Sequence, residues 1–352
     1  MADDILKTEV LIVGAGAVGL AIARELGDVC VLEKNESYGM EVSSRNSEVI
    51  HAGLYYSQDS LKTKLCVEGN PLLRSYLSEN DLPHLVCGKM VVATEQGEVE
   101  AVERLFENAR KNGVQGISLT TDVSESVSAK MALYSATTGI FDVHAYMKSL
   151  FHKARDAGAL FSFGSEVVDI QKTNGGFLIE TADGEKVLAE RVINSAGLKS
   201  DIVANKLGLN YKLYPCKGDY FAIRGAAGKL DHLVYPSPST SKYGLGVHAT
   251  INLQGEVRLG PDTTYVDEMN FDVDPNKSQK FYESALKFLP WLKHDMLYPD
   301  TSGIRPKLQA PGKGFADFVI KEEMPGFINL VGIESPGLTA SLSIARMVKG
   351  MI

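Results

Sequence analysis

Val10-Leu11-Ile12-Val13-Gly14-Ala15-Gly16-Ala17-Val18-Gly19 decides the fold of this chain. A short apolar run, typical of a strand buried on both faces of a parallel sheet, leads directly into three glycines with the spacing of a dinucleotide-binding loop. Residues 20–26 are rich in strong helix formers, and Val29–Glu33 is a second apolar run that ends in an acid. Strand, glycine loop, helix, strand and acid in this order predict a dinucleotide-binding βαβ unit.

Each glycine of the loop has its own expected task. Gly14 permits the tight turn, Gly16 lets the backbone approach a pyrophosphate, and Gly19 lets the helix lie close to the strand. The phosphates are expected at the helix N-terminus near Val18, where free N–H groups and the helix dipole favour anions. Glu33 is placed to accept hydrogen bonds from a ribose diol, and its neighbour Lys34 is assigned to the same nucleotide site.

Composition limits the class of protein. The chain has 352 residues and 44% apolar content, enough for one large or two smaller domains, and its formal charge of −8 argues against general nucleic-acid binding. No apolar run is long enough to cross a bilayer, and the N-terminus lacks the features of a signal peptide, so a cytoplasmic location is expected. The four cysteines are far apart and predict buried free thiols with no zinc site or disulfide: Cys30, Cys66, Cys87 and Cys216.

The chain alternates in character, which predicts two interleaved domains. Residues 1–83 and 139–208 have α/β patterning, with a helix near Val143–Ala157 and strands near 166–170, 177–181 and 191–194. Short β-prone runs broken by Gly and Pro fill 211–260 and predict an antiparallel sheet. These runs are Tyr214–Ile223, Tyr243–His248 and Glu256–Leu259. A helix near Lys277–Phe288 and a buried strand at Ile328–Val331 follow.

Two further segments carry the chemistry. Ser43–Tyr56 is polar, too rich in hydrogen-bonding groups for a core, and holds an Arg, a His and two Tyr. Asn329–Thr339 reads as a strand followed by a Gly/Pro/Ser turn, and a helix through Ala340–Val348 comes next. A second helix N-terminus of this kind would stabilise negative charge, as at the edge of a reduced flavin.

At this point the motifs resemble those of a known family. The first loop with Glu33, Gly139–Asp142, Asn194–Gly197, Ser302–Pro306 and Gly332–Thr339 recur in this order in FAD-dependent oxidoreductases of the D-amino-acid oxidase superfamily. The resemblance covers nearly the whole chain. Within the superfamily, three segments look most like L-2-hydroxyglutarate dehydrogenases and oxidases: Ser43–Tyr56, Gly244–His248 and Gly332–Gly337.

The resemblance implies an α/β chain, α+β overall, in which a Rossmann-like FAD-binding domain is interleaved with a substrate domain built on an antiparallel sheet. The expected boundaries are 1–84, 139–210 and 300–352 for the FAD-binding domain, and 85–138 and 211–299 for the substrate domain. It also implies the residues of the cofactor site. These are Gly14, Gly16, Val18, Gly19, Glu33, Lys34, Ser43, Ser44, Arg45, Asn46, Ser47, Val167, Ala196, Gly197, Gly303, Arg305, Gly332, Ser335, Pro336, Gly337, Leu338 and Thr339.

The implied reaction is oxidation of L-2-hydroxyglutarate to 2-oxoglutarate. A hydride leaves C2 for the flavin while a base takes the hydroxyl proton, and a histidine suits this task. His51 is slightly favoured over His248. Arg305 is expected to hold the C1 carboxylate, since related oxidases use an arginine in an equivalent context and guanidinium binds carboxylate in a bidentate manner. The second charged end of the donor is assigned no single partner. Candidates are Lys217, Arg45, Lys307, Tyr55, Tyr56 and Tyr235.

Alternatives remain open at this level. A flavin amine or amino-acid oxidase of glycine- or sarcosine-oxidase type would share the fold and Arg305, and a non-catalytic FAD-binding assembly factor would keep the fold without turnover. A nicotinamide-dependent dehydrogenase would use the first loop but leaves Ser43–Tyr56 and Gly332–Thr339 without a role. FAD is expected to be bound without a covalent link, although His51 is a candidate for one. The electron acceptor is oxygen, a quinone or a carrier, and residues 346–352 are a candidate for peripheral membrane contact.

Overall fold

The protein is described here by a computed structural model that covers residues 5–238 and 246–352. The elements of these residues, in chain order, are β1 Leu6–Val13, α1 Ala17–Leu26, β2 Cys30–Glu33, β3 Val49–Ile50, α2 Leu61–Glu79, β4 His84–Leu85, β5 Lys89–Ala93, α3 Gln96–Lys111, β6 Ile117–Thr120, β7 Met131–Ser135, β8 Gly139–Phe141, α4 Val143–Asp156, β9 Leu160–Phe163, β10 Val167–Thr173, β11 Gly176–Thr181, β12 Lys186–Asn194, α5 Ser200–Asn205, β13 Tyr214–Ile223, β14 Leu233–Pro236, β15 Ala249–Ile251, β16 Val257–Leu259, β17 Thr264–Tyr265, α6 Ser278–Leu286, β18 Leu297–Lys307, β19 Val319–Met324, β20 Phe327–Val331 and α7 Ser341–Lys349.

The chain divides into two compact units, each built from several segments. Unit 1 contains the described residues of Met1–Ser44, Val143–Pro215 and Arg305–Ile352. Unit 2 contains those of Arg45–Asp142 and Cys216–Ile304.

Unit 1 is built on an eight-stranded sheet. The strands run in the order β10-β11-β12-β1-β2-β9, and β20 pairs with β12 and β19 with β20. The pairings of β1 with β12 and β2, of β2 with β9, and of β12 with β20 are parallel. Since β1 lies between two parallel neighbours, its C-terminal half, Val10–Val13, is buried, as its apolar sequence predicts.

Helices of unit 1 pack on this sheet through small and apolar side chains. The buried residues of α1 include Leu20, Ala21 and Ile22, and the helix contacts both α4 and α7. The hydroxyl groups of Tyr146 in α4 and Ser341 in α7 lie 2.7 Å apart and are both buried. The Ser341 hydroxyl also donates to the carbonyl oxygen of Leu338 at 2.8 Å, so it accepts the hydrogen bond from Tyr146.

Unit 2 is built on a nine-stranded sheet. Its order is β17-β13-β16-β15-β14-β5-β7-β6, with β18 beside β13. The pairs β13–β16, β15–β16, β14–β15, β5–β7 and β6–β7 are antiparallel, while β14 and β5 run parallel. Phe221 of β13 contacts Phe281 of α6, with ring centroids 4.7 Å apart. This contact places α6 against one face of the sheet.

A smaller three-stranded sheet in unit 2, ordered β3-β8-β4, lies in the first half of the chain. The side chain of Asn70 in α2 donates hydrogen bonds to the carbonyl oxygens of His51 and Thr137, at 3.0 and 2.9 Å. These hydrogen bonds and the pairing of β8 with β3 and β4 place residues 45–84 and 139–142 together in unit 2. The sequence placed residues 45–84, 139–142 and 300–304 in the expected FAD-binding domain, whereas they lie in unit 2. It placed residues 211–215 in the expected substrate domain, whereas they lie in unit 1.

Most elements that periodicity predicts are present. β13 has the predicted bounds Tyr214–Ile223, and α4 begins at the predicted Val143. The antiparallel sheet predicted for 211–260 also exists, but β5, β6 and β7 extend it. Residues 243–245 of the predicted strand Tyr243–His248 lie outside the described residues, as do Gly244 and Leu245 of the motif that ends at His248. The prediction is wrong for residues 246–248, which form no strand, since β15 begins at Ala249.

Candidate functional site

Unit 1 contains a cleft at the carboxyl ends of β1 and β2, where parallel sheets bind nucleotides. The space between its walls is about 1150 Å³, which includes open solvent at its mouth. Among the residues that line it are nine of the expected cofactor residues. They are Gly14, Gly16, Val18, Glu33, Lys34, Ser43, Val167, Ala196 and Gly197.

The glycines of the loop allow the backbone conformation and close packing next to this cofactor cleft. Gly14 has φ +99°, a conformation that side chains disfavour, and a Cβ there would lie 2.7 Å from the carbonyl oxygen of Ser195. At Gly19 a Cβ would collide with the carbonyl oxygen of Gly14. A tight turn and a helix pressed against the preceding loop therefore both depend on glycine, as the motif predicts.

Donors and acceptors around the loop suit a dinucleotide. Gly16 caps α1 without a side chain, and the first turn of α1 carries no acidic residue, so the dipole at this helix end is available to an anion. Ser43 Oγ accepts a hydrogen bond from the Ala17 N–H at 2.9 Å. The Glu33 carboxylate accepts from the Ala15 N–H at 2.8 Å and from the backbone and side chain of Asn35 at 2.9 and 2.8 Å. Glu33 is thereby held at the wall of the cleft.

Residues 45–47 lie in unit 2 and bond within it. The Arg45 guanidinium carbon lies 4.2 Å from the ring centroid of Phe271. The Asn46 side chain accepts from the Glu48 N–H at 2.8 Å, and the hydroxyls of Ser47 and Tyr220 are 2.8 Å apart. Gly303 also belongs to unit 2. Ser44, in unit 1, donates its hydroxyl to the Glu41 carbonyl at 3.1 Å. None of these residues lines the cofactor cleft, and their flavin contacts stay predictions.

The C-terminal turn of unit 1 has the expected strand-turn-helix form. β20 ends at Val331, and α7 starts at Ser341, one residue later than predicted. Gly332 has φ +74°, and Thr339 is fully buried. Ser335, Pro336, Gly337 and Leu338 lie between them in the turn and do not line the cofactor cleft. The Lys307 ammonium pairs with Glu334 at 3.1 Å, so this candidate for the second charged end already has a carboxylate partner.

In unit 2 the register of the large sheet brings distant residues to one face. Val91 of β5 pairs with Tyr235 of β14, and Lys89 lies two residues before Val91. Val234 pairs with Ala249, the residue after His248. Because side chains alternate along a strand, Lys89, Tyr235 and His248 share a face.

These three residues form a cluster with His51 and Tyr55, which we call the lysine cluster. The rings of Tyr235 and His248 stack with centroids 3.8 Å apart and an interplanar angle of 17°. The Lys89 Nζ atom lies 4.5 Å from the ring centroid of Tyr235 and 4.9 Å from that of Tyr55. An ammonium at these distances from two rings is stabilised by cation–π attraction.

Burial and mutual charge perturb the titration of the lysine cluster. Burial, then the charge of Lys89, then His248 lower the pKa of His51 to about 3. Burial lowers the pKa of Lys89 to about 7, opposed by Cys66. Burial also raises the pKa values of the Tyr55 and Tyr235 hydroxyls above their ordinary value. Near neutral pH both tyrosines are therefore hydrogen-bond donors, and His51 is neutral.

The tautomer of His248 follows from its contact with the backbone. Its Nδ1 atom lies 3.0 Å from the carbonyl oxygen of Gly246, and a carbonyl oxygen only accepts, so Nδ1 carries the proton. In the neutral ring, Nε2 then holds the lone pair. This nitrogen has the chemistry of a proton acceptor.

The structure separates Lys217 from the lysine cluster. Lys217 alternates onto the same sheet face as Phe221, the face that meets α6. Its ammonium lies 3.4 Å from Asp219 and donates to the carbonyl oxygen of Asp272. Arg305 lies in β18 and in unit 1, half-buried.

Lys89 is the residue that sequence reasoning missed. It opens β5, whose five residues are all buried, and is itself 1% exposed. A lysine at the start of the apolar run Met90–Ala93 was a usable signal, since lysine is almost never fully buried without a reason.

Cys66, Cys87 and Cys216 are buried free thiols as expected, whereas Cys30 is only half-buried. Residues 5–238 and 246–352 contain no group of three potential metal ligands. No helix among these residues has both the length and the apolar character needed to cross a bilayer. At the C-terminal end of α7, Val348 is buried and the Lys349 ammonium pairs with Glu25 at 3.2 Å.

Comparison with known proteins defines the class. Residues 9–351 match the family model described as FAD dependent oxidoreductase. The mitochondrial L-2-hydroxyglutarate dehydrogenase of Arabidopsis thaliana is 37% identical over 98% of this chain and 84% of its own length. A glycerol 3-phosphate dehydrogenase of Caloramator mitchellensis is 30% identical over 97% of this chain and 72% of its own length.

A solved structure has the same fold. L-α-glycerophosphate oxidase of Mycoplasma pneumoniae, with FAD bound, superposes with a TM-score of 0.87 at 25% identity, over 97% of this chain and 94% of that one.

The chain belongs to the D-amino-acid oxidase family of FAD-dependent oxidoreductases. It is thus an enzyme that takes electrons from a small-molecule donor with FAD and passes them to an acceptor. The glycine loop, the start of α1 at Gly16 and the hydrogen-bonded Glu33 fit the nucleotide part of FAD. This membership sets aside the nicotinamide-dependent dehydrogenase and the non-catalytic assembly factor.

Proposed function

We propose that this enzyme oxidises L-2-hydroxyglutarate to 2-oxoglutarate. The observation that carries the proposal is the lysine cluster, which joins two histidines, a buried cation and two tyrosine hydroxyls on one face of the sheet of unit 2. A hydroxy dicarboxylate needs a proton acceptor for its hydroxyl group and a positive charge for each carboxylate. The similarity to L-2-hydroxyglutarate dehydrogenases over nearly the whole chain supports the same donor.

Bound FAD supplies the hydride acceptor of this reaction. The protein holds the nucleotide part in the cofactor cleft of unit 1, with the phosphates at the start of α1 and the ribose near Glu33. Without an anchored acid and a glycine loop, the cofactor would lose both its orientation and its closest backbone contacts.

The donor's hydroxyl proton goes to one of the two histidines in the lysine cluster. His51 is neutral at working pH because its pKa lies at about 3, so it is always in the form that accepts a proton. Such a low pKa makes it a weak base until an anion binds beside it and raises that pKa. His248 presents a lone pair at Nε2 and is the other candidate.

Replacing each histidine by asparagine separates these roles. We expect the variant that lacks the base to reduce its flavin at least about 100-fold more slowly, within the usual range for general-base loss. If His51 is the base, the second-order rate of flavin reduction at limiting donor should show no inflection from a histidine near pH 6.5, because in the ligand-free enzyme the pKa of His51 lies far below its ordinary value. Stopped-flow flavin absorbance between pH 5 and 9 measures both effects, and the residue whose variant keeps the rate and its pH profile is not the base.

Arg305 is the proposed partner of the C1 carboxylate. Lysine cannot reproduce a bidentate guanidinium contact, so Arg305→Lys should raise the KM for the donor about tenfold or more. Thermal unfolding should change little, since the substitution keeps the charge. An unchanged KM would remove Arg305 from the donor site.

Glycerol 3-phosphate is the second candidate donor, because a glycerol 3-phosphate dehydrogenase and an L-α-glycerophosphate oxidase are both similar to this chain. Anaerobic mixing of the purified holoenzyme with L- and D-2-hydroxyglutarate, glycerol 3-phosphate, glycine and sarcosine tests all the alternatives together. The proposal expects rapid bleaching of the flavin only with L-2-hydroxyglutarate. Rapid bleaching by glycine or sarcosine would instead indicate an amine oxidase.

FAD is proposed to be held without a covalent bond. After acid precipitation the yellow colour should then remain in the supernatant, whereas a yellow pellet would indicate a link, with His51 as the first residue to examine by mass spectrometry.

Oxygen, a quinone or another carrier reoxidises the flavin in this proposal, and comparing their reoxidation rates identifies the acceptor. Membrane contact through residues 346–352 is disfavoured, because Val348 is already buried within unit 1 and Lys349 is paired. Flotation with anionic vesicles tests this contact, and protein that floats with the vesicles would show that the contact exists.

A further inference from the structure

We infer that Lys89, with the hydroxyl groups of Tyr55 and Tyr235, forms a binding site for the distal carboxylate of the donor. This inference rests on the proposed function, since it assigns the second charged end of the same donor to residues in unit 2. Lys89 was not among the candidates for this end of the donor, whereas Tyr55 and Tyr235 were separate candidates that here bind the same carboxylate.

A buried cation without an anion is the first observation. Lys89 is 1% exposed, and the described part of the chain offers its ammonium no carboxylate partner. Its neighbours are the Tyr55 and Tyr235 rings at 4.9 and 4.5 Å. Lysine is rarely buried in this way without a partner, because removing its charge from water costs roughly several kcal/mol in a protein interior.

Two hydroxyl groups without partners are the second observation. Tyr55 Oη and Tyr235 Oη are both buried, and neither has a hydrogen-bond partner among the residues that the structure describes. A buried hydroxyl without a partner costs about 1–3 kcal/mol, so native proteins rarely leave two of them in one cluster. Since both phenols remain protonated near neutral pH, each can donate a hydrogen bond to an anion.

The charge of the site favours a carboxylate over a phosphate. One lysine supplies one positive charge, which matches the single negative charge of a carboxylate, whereas a phosphate carries about −1.5 to −2 near pH 7. An ammonium and two phenols offer enough donors to satisfy two carboxylate oxygens. Tyr55 and His51 are half-buried, while the Tyr55 hydroxyl itself is buried.

A carboxylate at Lys89 also acts on the proposed base. The charge of Lys89 is the second cause of the low pKa of His51, after burial. A carboxylate beside Lys89 opposes this effect and raises the pKa of His51 towards the range in which histidine is an effective base. A donor with a second carboxylate therefore makes His51 more basic, while a donor without one does not.

The test compares two donors and two inert ligands in the FAD-loaded enzyme. L-2-hydroxyglutarate and L-2-hydroxypentanoate have the same number of carbons, but only the first has a distal carboxylate; glutarate and pentanoate are the matching ligands that cannot be oxidised. Flavin bleaching measures the donors, and isothermal titration calorimetry measures the inert ligands.

Lys89→Met should weaken both L-2-hydroxyglutarate reduction and glutarate binding about 30-fold or more, the usual effect of removing one partner of a buried charge pair. L-2-hydroxypentanoate and pentanoate should change by less than about threefold, because they lose no charge pair. Tyr235→Phe should show the same selectivity at about fivefold, which corresponds to the loss of one hydrogen bond. It also serves as the second variant if Lys89→Met folds poorly.

The matched control is Lys62→Met, which removes another buried lysine, located on α2 and 5.9 Å from the Tyr56 ring. We expect it to affect all four ligands equally. A Lys89→Met effect that is equal for donors with and without the distal carboxylate would overturn the inferred site. Glycerol 3-phosphate is titrated beside these four ligands; if it alone loses affinity in Lys89→Met, the site binds phosphate, and the carboxylate assignment is wrong.

Calorimetry separates this inference from the proposed function. If L-2-hydroxyglutarate fails to bleach the wild-type flavin but glutarate binding still depends on Lys89, the donor is wrong and the carboxylate site stands. If the donor bleaches the flavin and Lys89→Met leaves both ligand pairs unchanged, the function stands and the site is wrong.

Discussion

The cofactor cleft of unit 1 and the lysine cluster of unit 2 are built in different ways. The cleft takes its key groups from one short stretch, residues 13–19, and from Glu33, and much of its chemistry lies in the backbone. The lysine cluster takes side chains from β5, β14, the approach to β15 and the segment after β3, which are up to about 200 residues apart in sequence. A local site can be recognised as a motif, whereas a dispersed one exists only after strand pairing.

The two sites also differ in how well their polar groups are satisfied. Glu33 accepts three hydrogen bonds from the loop and from Asn35. In the lysine cluster, Tyr55 and Tyr235 leave hydroxyls without partners among the described residues, and Lys89 is buried without a described carboxylate partner. We therefore expect changes in the cleft to cost stability or cofactor, and changes in the cluster to gain stability while costing function.

Gly19→Val should have the largest effect. The new side chain collides with the carbonyl oxygen of Gly14, so α1 cannot keep its position against the loop. Because this displaces the phosphate site, the purified protein should contain less than about 1% of the wild-type FAD. The ratio of flavin to protein absorbance measures this loss. Gly97→Ala in α3, where a Cβ meets nothing within 4 Å, is the control and should keep its FAD; full FAD content in Gly19→Val would contradict the packing argument.

Lys89→Met should stabilise the fold by about 1–4 kcal/mol below pH 7, as replacement of buried charges by apolar groups often does. The pKa of Lys89 is lowered to about 7 from 10.5. Above pH 7 the folded protein therefore binds fewer protons than the unfolded chain, and wild-type stability should rise with pH up to about 10.5 by as much as about 1.4 kcal/mol per unit.

The stability of Lys89→Met, measured by denaturant unfolding between pH 6 and 10, should not show this rise with pH. Lys64→Met removes an exposed lysine from α2 and should keep the wild-type slope. Parallel pH profiles for wild type and Lys89→Met would show that Lys89 keeps its ordinary pKa in the folded protein.

Glu33→Gln tests the satisfied carboxylate of the cofactor cleft. In the wild type, the N–H groups of Ala15 and Asn35 bond to different carboxylate oxygens of Glu33, whereas the glutamine amide has only one acceptor oxygen. We therefore expect a loss of about 1–3 kcal/mol in stability and roughly tenfold weaker FAD binding. Titration of the apoprotein with FAD, followed by fluorescence quenching, measures the affinity. Glu36→Gln removes the same charge from an exposed position nearby and should bind FAD like the wild type; equal losses in both variants would attribute the effect to net charge.

Tyr235→Phe should have the smallest effect on the fold, a gain of up to about 1 kcal/mol in the ligand-free protein, because it removes a buried hydroxyl that lacks a described partner. Thermal unfolding without donor measures it. With glutarate bound, the wild type should instead be more stable than Tyr235→Phe. Only the wild type gains the extra hydrogen bond to the ligand, and hence the larger stabilisation by ligand. A clear loss of stability in the ligand-free variant would indicate that the hydroxyl has a partner in the folded protein.

Much of unit 1 could be predicted from local patterns. The glycine loop, the helix after it and Glu33 lie within about two dozen residues, where each step of the pattern has one physical explanation. The limits of β13 and the start of α4 were predictable for the same reason, because periodicity and neighbouring turns are properties of contiguous sequence. Residues 45–84 pack within unit 2, which local patterns could not show, since their partners, such as Thr137, lie far along the chain.

The sequence by itself determined that the chain binds a dinucleotide, roughly where its strands and helices begin, and which family it resembles. The tertiary structure decided which polar residues act together. Sequence reasoning considered Lys217 and missed Lys89, yet strand pairing and side-chain alternation put Lys217 beside Asp219 and Lys89 beside Tyr235. A shift of one residue in register would move each side chain to the opposite face of its sheet, and no local pattern reports the register of strands so far apart.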